Sequence, residues 1–218
     1  MTNERTKNAI SRTELKERII SVSTEAFKTH GVRGITMDDI ATQMGISKRT
    51  IYELFADKEA LLEQCIMRGR DEQEAYLQSV RRTASNVLEV LLHMFLFSVE
   101  RFHSVSKKFF DDIRKYPKAY ACITEKQRKD SENMMTFFNE GVRQGIFRDD
   151  VNYPIVHMLL VSQLDRLMDD DMRNQYPIVE VYESIIFTFI RGISTEKGAC
   201  ELDRFIAYYR RNGHSSVR

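Results

Sequence analysis

Tryptophan is absent from this chain, which has only three prolines and nine glycines. So few breakers leave little room for the turns that a sandwich or barrel of short strands requires. Alternation of β-branched with polar residues is also scarce, so the usual strand signature is missing. Cys65, Cys122 and Cys200 are odd in number and widely scattered, with no C-x-x-C among them. That argues against a disulfide framework or a zinc ribbon, and fits reduced thiols in a cytoplasm. The longest apolar stretch, residues 90–99, is interrupted by His93 and Ser98 and is too short to span a bilayer. The opening Met1-Thr-Asn-Glu-Arg-Thr-Lys leads into no apolar segment of a secretory signal, so a cytoplasmic protein that makes no membrane contact is expected.

Charge of one sign is missing too. The net charge is +1, and residues 1–58 hold ten Lys and Arg against eight Asp and Glu. Any binding of nucleic acid must therefore rest on where a few cations stand, not on bulk charge. The catalytic fingerprints are absent as well: no G-x-G-x-x-G, no G-x-x-x-x-G-K-[ST], no G-x-S-x-G and no H-E-x-x-H. No nucleophile or acid–base pair is nominated, and neither an enzyme nor a cofactor is expected. Glu100-x-x-His103 is half of a di-iron bundle motif whose second half is not found, and Asp169-Asp170-Asp171 reads as a solvated loop, so no metal is expected.

What is present is helix. Apolar residues make up 42% of the 218 and charged residues 30%, the balance of a globular protein with a full core. Leu15, Ile19, Val22 and Ala26 share one face of a first helix, flanked by Ile20 and Phe27 and ended by Gly31 and Gly34. A long helix is expected to follow Asp57, then others at about 84–103, 106–116 (stopped by Pro117), 124–144, 154–170, 177–193 and 201–211. Pro154 and Pro177 suit first turns.

Residues 36–58 carry the most information. Thr36 with Asp39 three residues on is a capping pattern, and Ile40, Ala41 and Met44 give the helix behind it an apolar stripe. Gly45 can take the left-handed conformation that ends a helix, and Ile46 can plug the corner. Ser47 then caps a second short helix in which Ile51, Leu54 and Phe55 point inward. Lys48, Arg49, Thr50 and Tyr52 are left outside. A short helix with a basic, hydroxyl-bearing first turn, braced by a preceding helix, is the major-groove reader of a helix-turn-helix. Lys48, Arg49 and Thr50 would reach base edges, and Tyr52 a phosphate or sugar. The amides behind Thr36 and the ammonium of Lys58 offer phosphate sites.

Thr36, Ile40-Ala41, Gly45-Ile46-Ser47, Tyr52, Phe55 and Lys58, with Ala26-Phe27 and Gly31 before them, resemble the TetR family of bacterial transcriptional regulators over roughly residues 13–65. The resemblance implies an all-α fold: an N-terminal helix-turn-helix DNA-binding domain (1–57), then a larger helical ligand-binding and dimerisation domain (58–218). It implies backbone contacts from Thr36, Tyr52 and Lys58, and base contacts around Ser47 to Thr50. It further implies a homodimeric regulator, a repressor in most cases, on a near-palindromic operator in double-stranded DNA. A small apolar or amphipathic effector would bind the second domain.

Two late helices fit the dimer. Leu160, Leu164 and Leu167 on one, with Tyr182, Ile185, Ile186 and Phe189 on the next, belong to helices almost without a polar face. Such helices need cover on two sides, and a partner subunit supplies the second. For an effector pocket the sequence offers Met94, Phe95, Phe102, Met134, Phe138 and Met158, with His103, His157 and Gln163 as polar anchors, although the same stripe also fits plain core. The alternative function is a helical small-molecule-binding or scaffold protein whose helix-turn-helix no longer reads DNA.

Overall fold

A computed structural model describes residues 11–129, 131–168 and 170–211, with side chains except at 124–133 and 168–171. Twelve α-helices account for nearly all of the described residues. Their packing divides into two compact units: residues through Gly69 with Val105–Cys122, and Arg70–Ser104 with the chain from Ile123 onward.

The first unit contains α1 (Arg12–His30), α2 (Met37–Met44), α3 (Lys48–Leu54) and the start of α4 (Lys58–Thr83). Ser11 caps α1 by accepting the Glu14 amide, and Gly31 ends it at φ 79°. The buried face of α1 is Ile19, Ile20, Ser23 and Phe27. That face is turned from the expected stripe, leaving Leu15, Val22 and Ala26 half-buried. A serine at its centre hides the stripe from any count of apolar residues. Asp57 opens α4 by accepting the Ala60 amide at 2.8 Å.

The boundary expected after residue 57 is not where the packing divides. A returning segment, α6 (Lys107–Ile113) and the start of α7 (Pro117–Lys129), joins the first unit. Ser106 donates its amide to the Lys28 carbonyl at 2.8 Å, and the buried Asp112 accepts the Arg33 amide at 2.8 Å. Pro117 opens α7 as well as ending its predecessor, so helix begins seven residues before the expected 124, and α8 (Ser131–Arg143) covers the rest of the expected span. Proline's fixed φ suits a first turn, and this explains the start.

The second unit contains the rest of α4 with α5 (Val87–Ser104), α8, α9 (Tyr153–Asp165), α10 (Asp170–Gln175), α11 (Ile178–Ile193) and α12 (Glu196–Arg211). Phe95 lies at its centre, 1% exposed, with its ring 4.8–5.9 Å from those of Phe187, Tyr209, Tyr182 and Phe205. Burial pushes the Tyr182 hydroxyl up to about 12. The turn after α8 and the end of α11 clasp each other. Arg148 donates to the Ile193 carbonyl at 2.9 Å, and Thr195 donates its amide to that of Ile146 at 3.0 Å. Among the described residues no helix is long and apolar enough to cross a membrane.

Candidate nucleic-acid interface

The reading head is assembled by short-range chemistry. The Thr36 hydroxyl accepts the Asp39 amide at 3.1 Å, while the Thr36 amide and hydroxyl donate to the Asp39 carboxylate at 2.8 and 2.7 Å. These bonds, the hydroxyl's first, hold the Asp39 carboxyl below its ordinary range. Gly45 sits at φ 65°, ψ 30° and donates to the Ala41 and Thr42 carbonyls, ending α2 where a Cβ would be strained. Ser47 caps α3 through the Thr50 amide at 3.1 Å, and its hydroxyl lies 2.8 Å from that of Thr50. Ile51 and Phe55 are buried beneath α3 at 0% and 3% exposure, with Leu54 half-buried.

This geometry leaves Ser47, Lys48, Arg49 and Tyr52 exposed and Thr50 partly so. Tyr52 is 43% exposed, with the Lys48 ammonium 6.0 Å from its ring. Each cation has a carboxylate partner. The Lys48 ammonium donates to Asp38 at 2.9 Å, which raises its pKa, and Arg49 Nε donates to Glu53 at 2.8 Å. Exposed pairs of this kind contribute only about 0.2–1 kcal/mol. That is less than the about 1–3 kcal/mol by which a good bidentate base contact discriminates.

Lys58 differs from the expectation. Its ammonium points into the unit, donating to the Val32 carbonyl at 3.0 Å and that of Ile35 at 2.9 Å, with the Tyr116 ring 5.7 Å away. It ties the loop before α2 to the start of α4, and at most one donor remains for a phosphate. Lys58→Met keeps the stem but leaves both carbonyls without their donor. The expected loss of stability is about 1–3 kcal/mol, read by thermal unfolding.

In the second unit an apolar groove of about 850 Å³ lies between α9 and α11, its walls including Val156, Leu159, Leu160, Val181, Ile185 and Phe189. Ile155, Met158 and Leu159 stand 50%, 62% and 54% exposed on α9. Of the expected contact residues, Leu160, Ile185 and Phe189 line this groove, and Leu164 is half-buried. Leu167, Tyr182 and Ile186 do not face outward: they lie in their own core at 4%, 6% and 8% exposure. The core takes the row Val179, Tyr182, Ile186 and Ile190 of α11, the groove takes Ile185, Thr188 and Phe189 on the next row round, and the buried Val181 and Ile193 border both.

Of the expected effector residues, Gln163 lines the α9–α11 groove. Phe95 and Phe138 are solid core at 1% exposure, His103 and Met158 are exposed, and Met94, Phe102, Met134 and His157 are half-buried. None of the other eight lines that groove or the smaller groove between α5 and α12. Phe138 stacks on Tyr153 at 4.7 Å and meets the His157 ring at 6.5 Å, where burial lowers the histidine's pKa. Glu100 and His103 are both exposed, and the carboxylates of residues 169–171 lie outside the described side chains.

Residues 19–65 match the model of the bacterial regulatory proteins of the tetR family. The chain is 24% identical over 189 residues to YvaF, an HTH-type transcriptional regulator of Bacillus subtilis, covering 85% of this chain and 98% of that one. It is 22% identical over 147 residues to the HTH-type transcriptional repressor KstR2 of Mycobacterium tuberculosis, covering 65% and 74%. A solved structure of a transcriptional regulator from Saccharomonospora viridis, in complex with choline, has the same fold: TM-score 0.66, 17% identity, 84% of this chain and all of that one. The relatives are regulators, not enzymes.

Proposed function

We propose, for a chain whose residues 19–65 match the model of the bacterial regulatory proteins of the tetR family, that it is a TetR-type homodimeric repressor acting in the cytoplasm on a near-palindromic operator. The observation that carries this is the exposed first turn of α3, with Lys48 and Arg49 outward and Ile51 and Phe55 anchoring it from below. In the major groove Lys48, Arg49 and Thr50 read base edges, while Ser47, Tyr52 and the N-terminus of α2 behind Thr36 hold the backbone. The α9–α11 groove, apolar and open, supports pairing with a second copy about a two-fold axis, which brings two heads to half-sites one or more helical turns apart.

Arg49→Ala tests the reading. On a duplex selected by the full-length protein from a random pool, the expected loss is about 1–3 kcal/mol, confined to one base pair in each half-site. An equal loss on every sequence refutes the base-reading role. If the protein retains no duplex selectively at physiological salt, the scaffold alternative takes over. Effector control by a small apolar or amphipathic molecule in the second unit is the further part of the proposal; the choline named with the Saccharomonospora structure supports it by likeness of fold. Such a ligand releases DNA only if it binds the DNA-incompetent state more tightly. Release of the selected duplex by members of a metabolite panel tests it, and none releasing refutes it.

A further inference from the structure

We infer that Glu53 is a positioning residue for Arg49, holding its guanidinium in the orientation that reads a guanine; the inference rests on the DNA-reading role proposed for α3. Glu53 stands one turn beyond Arg49 and accepts Nε at 2.8 Å. Among the described residues neither terminal nitrogen of the guanidinium is given a partner. A guanine edge offers two acceptors, O6 and N7, which a guanidinium fork matches. With Nε held, the fork is turned outward before DNA arrives, and less rotamer freedom is lost on contact. The backbone that carries Glu53 is tied down, because its carbonyl accepts Arg12 Nη2 at 3.1 Å at the last turn of α3.

The neighbouring pair provides the contrast. Asp38 holds the Lys48 ammonium at 2.9 Å from another helix, α2. An ammonium is a point charge with no fork to orient. Asp38 therefore competes with DNA for Lys48, while Glu53 can keep its bond to Arg49 when the base is engaged. Both carboxylates also repel phosphates, so each lowers affinity for any duplex. Only Glu53 returns something for that repulsion, in discrimination at one base pair.

The test uses the full-length protein and a duplex selected by it from a random pool, with each base pair substituted in turn and a random-sequence duplex for comparison. Arg49→Ala first identifies the base pair that Arg49 reads. Glu53→Ala is then expected to lose about two- to fivefold of the preference at that same pair, the range available to an exposed ion pair. Glu53→Gln, which retains an acceptor for Nε, restores part of it. Asp38→Asn tightens binding to the random duplex and leaves that preference alone. In the Arg49→Ala background Glu53→Ala leaves the preferences at the other base pairs unchanged, whereas a purely structural Glu53 would weaken those preferences in both backgrounds. Full preference in Glu53→Ala, or a loss independent of Arg49, overturns the inference and leaves the reading of α3 standing. Failure of the unaltered protein to select any duplex overturns both.

Discussion

Ile185→Asp is expected to leave the subunit folded, separate the dimer, and lower affinity for the selected duplex by roughly 10³-fold or more, the scale set by burying an unpaired carboxylate in each copy. Ile185 is half-buried and lines the wall of the α9–α11 groove. In a lone subunit an aspartate there stays in water, so folding loses only part of one side chain's packing. In a two-fold interface each copy presents the same carboxylate to an apolar surface. Removing a charge from water without a partner costs several kcal/mol, and the two-fold axis makes that cost appear twice. Two heads on one duplex bind with an effective concentration that a single head lacks, so the loss of pairing reaches the DNA. Sedimentation of the free protein and gel shifts on the selected duplex are the measurements. Tyr182→Asp is the control, since Tyr182 is 6% exposed among Phe95 and Phe102 and its replacement should unfold the unit. A dimer intact in Ile185→Asp would put the pairing surface elsewhere.

That contrast also shows what the sequence makes legible. The reading head is written in local chemistry: Thr36 and Asp39, Gly45, and Ser47 with Thr50 all act within four residues of one another, so caps and turn follow from the order of residues. The exposed and buried sides of α3 follow from its period. On α11 the same method stops, because a helix apolar nearly all round does not say which row is core. Tyr182 and Ile186 went inward and Ile185 stayed on the groove, a difference of one residue along the chain and about 100° around the helix. The tether made by Lys58 is invisible in the sequence for another reason. Its acceptors, Val32 and Ile35, lie in a loop 23 to 26 residues away, and no periodicity reports a carbonyl. The return of α6 to the first unit depends on Asp112 meeting the Arg33 amide 79 residues earlier. An aromatic stripe gives no sign of whether its rings line a cavity or fill the core, and Phe95 and Phe138 are buried at 1% exposure.

Gly141→Ala, one methyl group inside α8, is expected to cost about 3 kcal/mol, the upper part of the range for overpacking a filled core. A Cβ at Gly141 would stand 2.0 Å from Cδ2 and 2.5 Å from Cε2 of Phe147, so the ring must move. It has nowhere to go: Phe147 is 1% exposed, with the rings of Phe138 and Phe137 at 6.1 and 6.4 Å. Its amide donates to the Gly141 carbonyl at 3.1 Å, and the next residue's amide to the end of α11, so the backbone cannot withdraw either. Phe147→Ala alone should cost about 3–5 kcal/mol through the cavity it leaves. Combining the two reverses the sign of the first. With the ring gone, alanine at 141 meets open space and gains up to about 1 kcal/mol of helix propensity over glycine. Denaturant unfolding at the four corners of the cycle measures this, and an equal penalty for Gly141→Ala in both backgrounds would show that the ring is not its cause. Because Arg148 ties this turn to the Ile193 carbonyl at the end of α11, the same substitution should also weaken the groove-lining helix, and with it the pairing on which two-headed DNA binding is proposed to depend.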